Sequence, residues 1–355
     1  MLPLLPFFLA CLLSAHGLRK KSLSPSGAFT AFLVGFLTLE GAIYVFGVTL
    51  IGFYLMGSYA TKCEYFATSR FLYSRSFNKR DYWFFTYLDG KTRKARLEDG
   101  YHEAGYRSGW QVLSNSASAL VTACLWNAAF APNSIQARIL NWLGVDIISI
   151  LGINHLETYS PESWCLLSRS INEGWSRILI FASLGWVRFS LYALTCPTSN
   201  HRHQERHFGC CLGDTLASEL GILSKHKPIL ITTLKPVPPG TNGAISLIGT
   251  IASIIGGSLV GLLTGITLIL ENAQCRREAA GYLLFETVAW GMFAGLFGSL
   301  VDSLLGATVQ QSRYSKTKKF VLQDDRKDVD VEVISGRNFL TNNQVIFFFS
   351  GFNRI

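Results

Sequence analysis

The chain has 355 residues, of which 49% are hydrophobic and only 15% charged, with a formal net charge of +9 and a mean hydropathy of +0.28. A soluble domain carries about 25% charged residues because its surface faces water, so an array of soluble domains is excluded. The positive charge is gathered between apolar blocks, at Arg19-Lys20-Lys21 and from Lys91 to Arg96, as juxtamembrane loops do under the positive-inside rule. A nucleic-acid stripe interleaved with aromatics is absent.

These features predict an all-α polytopic membrane helix bundle, with about six to eight transmembrane helices of ~20 residues each, forming a single integral membrane domain over residues 1–355. The eight cysteines are scattered, with no C-x-x-C pair. Cys11, Cys124, Cys210 and Cys211 lie in apolar stretches and read as small hydrophobes, so neither a disulfide framework nor a zinc site is expected. There is also no N-x-S/T sequon. Both absences lean toward an internal membrane, such as the endoplasmic reticulum.

In chain order, Leu2 to Leu18 is apolar and Arg19-Lys20-Lys21 follows it. A cleaved signal carries its charge before the apolar core, so a retained first helix is expected. Ser26 to Ser58 holds a single charge, Glu40, beside Gly41. More than thirty residues at about 1.5 Å each overshoot a ~30 Å hydrocarbon core, which predicts a helical hairpin turning at Glu40-Gly41. A fourth helix is expected from Gln111 to Phe130, ending at Pro132.

Ala244 to Leu270 has 27 residues without a charge, with small residues at Gly249, Ser253, Gly257, Gly261 and Gly265, each four apart. That ridge lets a partner backbone approach closely. Ala279 to Val309 repeats the pattern with Gly291, Gly295 and Ser299, so the two helices are expected to cross. Residues 64–89 and 152–200 read as irregular, insert-like stretches, the second with one apolar run (Ile178 to Leu194), and residues 310–343 as a polar loop.

The chemistry-bearing residues lie in four places. Within Cys210 to Leu223, taking Asp214 as zero at 100° per residue, Ser218 falls at about 40°, Thr215 at about 100° and Glu219 at about 140°. Two carboxylates and two hydroxyls thus occupy one side of an otherwise lipid-compatible helix. Ionisable groups at membrane depth usually line an interior cavity, and oxygen ligands of this kind suit Mg²⁺; a short interfacial helix with a solvated face is the alternative.

Ile231 to Gly243 follows, stiffened by prolines. Gly240, Thr241, Asn242 and Gly243 offer consecutive N–H groups before the uncharged helix, an anion site with Lys235 nearby, or else a turn capped by Thr241 or Asn242. Arg107, Gln111 and Asn115 fall at spacing four, with Arg107 either a phosphate contact or a snorkelling anchor. Asp302 either ends its helix in water or faces the same polar centre.

Gly90-Lys91-Thr92 is no P-loop, because Phe85 stands where the first glycine belongs and no strand precedes it. His201, His203 and His207, among charged neighbours, read as a solvated loop.

Five segments, K-K-S-L-S-P-S-G-A (Lys20 to Ala28), E-A-G-Y-R-S-G-W-Q-V-L-S-N (Glu103 to Asn115), G-D-T-L-A-S-E-L-G (Gly213 to Gly221), L-I-T-T-L-K-P-V-P-P-G-T-N-G (Leu230 to Gly243) and G-S-L-V-D-S-L-L-G-A-T (Gly298 to Thr308), resemble the motifs of the transmembrane protein 19 family, in that family's order. The family includes a plant enzyme resembling a phytyl-phosphate kinase, and its layout is similar to that of CTP-dependent polyprenol kinases. This chain departs from the pattern at Ala104 to Ser108, where the family has Gly-Gly-Gln-Arg-Asn, at Leu216, where it has Trp, and after Asn342-Asn343, where it has a further helix.

The resemblance implies an isoprenoid (phytyl or prenyl) phosphate kinase, with a nucleotide triphosphate donor (CTP or ATP) and an isoprenoid phosphate substrate in the lipid bilayer. Asp214, Glu219 and Lys235 would be catalytic, Asp214 with Glu219 or Asp302 would hold Mg²⁺, and Arg107 with Gly240 to Gly243 would bind phosphate. A transporter for a small anion or lipid, or a non-catalytic membrane protein, is the competing expectation.

Overall fold

A computed structural model describes residues 4–71, 106–151, 159–160, 165–167, 171–184, 208–221, 224, 226–317, 320–322 and 330–337. The expectations for Lys91 to Arg96, Gly90-Lys91-Thr92, the three histidines, the segment after Asn342, and most of 64–89 and 152–200 lie outside those residues. The described part is mostly helical: α1 (Leu4–Arg19), α2 (Pro25–Leu39), α3 (Val45–Phe71), α4 (Gly109–Phe130), α5 (Ile135–Trp142), α6 (Ile147–Leu151), α7 (Ile171–Leu184), α8 (Phe208–Gly221), α9 (Leu247–Glu271) and α10 (Ala273–Val309).

Local chemistry sets these boundaries. Ser24 caps α2 by accepting from the Gly27 N–H at 2.9 Å, and Pro25 takes the first helical position, where its missing N–H costs nothing. The block Ser26–Ser58 breaks between Leu39 and Val45, as its length requires. Ser108 and Gln111 form a reciprocal capping box at the start of α4; S-x-x-Q before an apolar run is the sequence signal for one. Ser246 caps α9, and Asn272 ends it and caps α10.

α9 and α10 are long and apolar enough to cross a membrane, over Leu247–Glu271 and Ala280–Val309. Leu4–Arg19, Pro25–Leu39, Val45–Tyr59 and Ala119–Phe130 are shorter apolar helices. α9 is built inside-out relative to a soluble helix. Gly249, Ser253, Gly257, Gly261 and Gly265 are buried, whereas Leu247, Ile251, Ile255, Leu259, Ile266 and Leu270 point outward. Large side chains outside and small ones inside suit a lipid solvent, in which close backbone packing holds helices together. Gly257 meets Gly291 and Gly295, and Gly261 meets Thr287 and Val288, so the expected ridge contact is present.

A second centre lies around Trp126, fully buried, whose indole N–H donates to Ser176 Oγ at 2.7 Å. Thr49 and Thr264 share a buried hydrogen bond at 3.2 Å between α3 and α9. Arg177 of α7 pairs with Glu286 of α10.

α7 lies inside the stretch 152–200 expected to be irregular, with Leu179, Ile180 and Phe181 in the core, and α3 continues past residue 64 to Phe71. Two more features depart from expectation. The region expected as a polar loop contains a three-stranded antiparallel sheet of β3 (Ser312–Ser315), β4 (Phe320–Leu322) and β5 (Val331–Ser335), in the order β4-β3-β5. Val321 and Leu322 are buried, and that burial separates a small sheet from a solvated loop. A two-stranded pair, β1 (Ile229–Leu230) with β2 (Ala244–Ile245), lies before α9. The second departure is a Cys165–Cys275 disulfide. Cysteine spacing misses it because its partners are 110 residues apart and belong to no motif. Replacing both cysteines with alanine is expected to lower stability by about 2–4 kcal/mol, read as a fall in the Tm of the detergent-solubilised protein that dithiothreitol reproduces in the unmodified chain.

Candidate functional site

The site begins with glycines. Gly213 on α8 lies against Ser253 and Gly295, and Gly256 against Leu212 and Gly213. With no side chains between them, α8, α9 and α10 come within backbone contact. That approach carries Asp214, the residue after Gly213, to α10, where Ser299 Oγ–H donates to Asp214 Oδ1 at 3.3 Å. Asp302 stands one turn beyond Ser299 and acts electrostatically on Asp214.

Both carboxylates line a cavity of about 340 Å³ with Ser218, Ser246, Thr250, Ser253 and Ser303. The loop Gly240–Gly243, His226 and Gln310 complete its lining. Asp214, Ala217, Ser218 and Gly221, the α8 residues on the cavity, recur every three or four positions, as one helical face must.

The loop is held by its own bonds. Thr241 N–H and Oγ1–H both donate to Pro238 O, at 3.3 and 2.7 Å, and Asn242 N–H donates to Ser312 Oγ at 2.9 Å. Two of the N–H groups expected to cradle an anion are therefore already engaged. Neither Thr241 nor Asn242 caps α9; Ser246 does. Gly243 has φ +78° and lies against Ser303 and Ala307 of α10, so a glycine is needed there both for the backbone and for the close approach.

The other expected residues fall elsewhere. Glu219 is not among the cavity-lining residues; its carboxylate acts electrostatically on Arg107, after burial and Tyr54 in size. An offset of about 140° from Asp214 is too wide for one face when the helix is packed on both sides. Thr215 turns back to its own helix, donating to Cys211 O at 2.8 Å. Lys235 is exposed and is not among the cavity-lining residues.

Arg107 faces an apolar pocket between α1, α2, α3 and α4, together with Tyr54 and Asn115. Burial pushes its guanidinium below the usual arginine range, and Tyr54 and Glu219 oppose that shift. Its backbone joins chain segments: Ser24 N–H donates to Arg107 O at 2.9 Å, and Arg107 N–H to Ser22 O at 3.2 Å. Gln111 is taken by the capping box, so the ladder of Arg107, Gln111 and Asn115 keeps only its first and last members on the pocket.

Family comparison agrees with this architecture. The model of the integral membrane protein family DUF92 matches residues 8–162 and 178–352. The chain belongs to the DUF92 family. Among its relatives, Protein PGR of Arabidopsis thaliana is 29% identical over 340 residues, covering 96% of this chain and 89% of that protein. An uncharacterized membrane protein of Methanocaldococcus jannaschii is 36% identical over 197 residues, 55% of this chain and 69% of that protein. One from Synechocystis is 36% identical over 104 residues, 29% of this chain and 35% of that protein. No solved structure matches the chain. The resemblance to the transmembrane protein 19 family is thus borne out at the family level, and with it an integral membrane protein associated with the bilayer.

Among the described lining residues of this DUF92 cavity there is no Lys or Arg. An uncompensated buried charge is costly, so two carboxylates without a basic partner are tolerated either protonated or beside a cation. The donor set of Asp214, Asp302, hydroxyls and backbone carbonyls is all hard oxygen apart from His226. That composition fits Mg²⁺, which takes one or two carboxylates and keeps waters. Ser299, read from the sequence only as a small residue of the α10 ridge, and Ser246 were not among the expected site residues; their signals were a hydroxyl one turn from Asp302 and one before an uncharged helix.

Proposed function

We propose that this DUF92 member is an isoprenoid-phosphate kinase that crosses an internal membrane with six to eight helices, a span count resting on the six apolar helices and about twenty residues per crossing. The observation that carries this reading is the cavity of Asp214 and Asp302, which lacks a described Lys or Arg and so admits phosphate only together with a divalent cation. The motif resemblance to prenol-phosphate kinases supports the substrate class.

Mg²⁺ held by Asp214 and Asp302 would neutralise the nucleotide phosphates. The hydroxyls of Ser218, Thr250 and Ser303 and the Gly240–Gly243 loop would orient them. The terminal phosphoryl group of CTP or ATP passes to a phosphate oxygen of the lipid monophosphate, leaving a nucleoside diphosphate and a lipid diphosphate. Such transfer rests on positioning and charge neutralisation, which this cavity can supply. Since Arg107 lines a separate apolar pocket and Glu219 is not among the cavity-lining residues, the acceptor phosphate belongs at the cavity and Arg107 keeps a supporting role.

The test is direct. Purified protein given phytyl or geranylgeranyl monophosphate, Mg²⁺ and either nucleotide should form the diphosphate, and no product with any prenyl chain would overturn the reading. Lys235→Met is expected to change the donor KM by less than about fivefold, the effect of an exposed charge, measured by steady-state kinetics. A transport reading is favoured by the same acidic cavity at membrane depth; nucleotide-independent flux of a phosphorylated lipid into proteoliposomes would support it.

A further inference from the structure

The ends of the helices sort into two opposite levels. One end of the bundle holds the α1–α2 turn, joined to Arg107 by backbone bonds to Ser22 and Ser24. Opposite it, Tyr44 N–H donates to Glu271 Oε1 at 2.6 Å and Ile135 N–H to Glu40 Oε1 at 3.0 Å. Tyr159 bonds Phe130 O and Asn272 Nδ2 on this same side, and Cys165 is linked there to Cys275. α4 runs from Arg107 toward Phe130, and α9 ends at Glu271, so α9 begins at the Arg107 end. The loop Gly240–Gly243 and the mouth of the cavity are therefore on the Arg107 side, a full helix length away from the disulfide.

Two independent properties distinguish these ends. Among the described residues, the cavity end carries Arg19, Lys20, Lys21, Arg107, Lys227 and Lys235, with Arg313, Lys316 and Arg337 after α10, against Arg138, Arg276 and Arg277 at the other. An excess of Lys and Arg marks the cytosolic face. A disulfide persists in an oxidising compartment and is rare in the reducing cytosol. Charge and redox chemistry assign the same orientation although neither depends on the other.

We propose that the Asp214–Asp302 cavity opens to the cytosol and takes its soluble ligand, a magnesium–nucleoside triphosphate complex, from that side, with Cys165–Cys275 on the lumenal or external face. The identity of the ligand rests on the kinase reading; the orientation does not.

The test uses sealed membrane vesicles with the cytosolic face outward, and the full chain with cysteines other than Cys165 and Cys275 replaced by serine. Lys227→Cys, or Lys316→Cys as a second position in the turn after β3, is expected to react fully with an impermeant maleimide–polyethylene glycol. Trp142→Cys, 85% exposed at the disulfide end, should react only after detergent. Cys165 and Cys275 should add two further polyethylene glycol shifts only after denaturation with a reductant. Labelling of Trp142→Cys in intact vesicles, protection of both lysine positions, or free thiols at Cys165 and Cys275 without reductant would each overturn the orientation. Labelling needs neither nucleotide nor lipid substrate, so a negative kinase assay leaves it standing. Conversely, inverted labelling leaves the chemistry of the cavity open to assay in detergent.

Discussion

Asp214→Asn is expected to abolish phosphoryl transfer, by about a hundredfold or more given what metal coordination contributes to charge neutralisation, while leaving the Tm without nucleotide nearly unchanged. The substitution is almost isosteric and keeps an oxygen that can accept from Ser299 Oγ, the one side-chain bond shown to Asp214. What it removes is the charge that a divalent ion requires. Asp302→Asn should behave in the same way, and the double variant should lose little more than either single, because both groups serve one ion.

Insertion into the membrane should not suffer. An Asp at a helix centre costs about 2.5–3.5 kcal/mol on the translocon scale, so loss of the charge eases it. The measurement is a pair: product formation with Mg²⁺ and nucleotide, and thermal unfolding with and without them. In the unmodified protein, Mg²⁺–nucleotide should raise the Tm; in Asp214→Asn that increment should disappear. If both Tm and activity fell together in the absence of ligand, Asp214 would be a structural residue and the cavity would not be the site.

The second large effect belongs to the small-residue seam. A Cβ added at Gly257 would lie 2.9 Å from Gly295 Cα and as close to the Gly291 carbonyl carbon, and both are backbone atoms that no rotamer change can move. Gly257→Leu is therefore expected to force α9 and α10 apart. Overpacking of this kind typically costs about 1–3 kcal/mol, more where backbone must shift. Activity should be lost together with the fold, since the same seam brings Asp214 to Ser299. Gly281→Ala is the control: nothing lies within 4 Å of its added Cβ, so its Tm should match or exceed that of the unmodified chain. A normal melt for Gly257→Leu would mean that the two helices do not meet along this ridge.

Much of the scaffold was legible in the chain itself, because the properties concerned are local. Charge-poor blocks longer than a bilayer is thick demand membrane helices with a break, and the break appears beside Glu40. Small residues every fourth position lie on one helical face whatever the rest of the chain does, so the contact between α9 and α10 followed from spacing alone. Asp214 stood out because a carboxylate in an apolar helix needs a polar neighbour somewhere.

Which neighbour it has could not be read in the same way. The rotation of α8 against its partners leaves Glu219 off the cavity and puts Asp214 on it with Asp302, a choice made by how Gly213, Gly256 and Gly295 fit together. Likewise, the side of the loop on which Lys235 falls, the capture of Asn242 N–H by Ser312, and the meeting of Cys165 with Cys275 depend on elements far apart in the chain. Periodicity assigns a face to each helix, but only packing decides what that face meets.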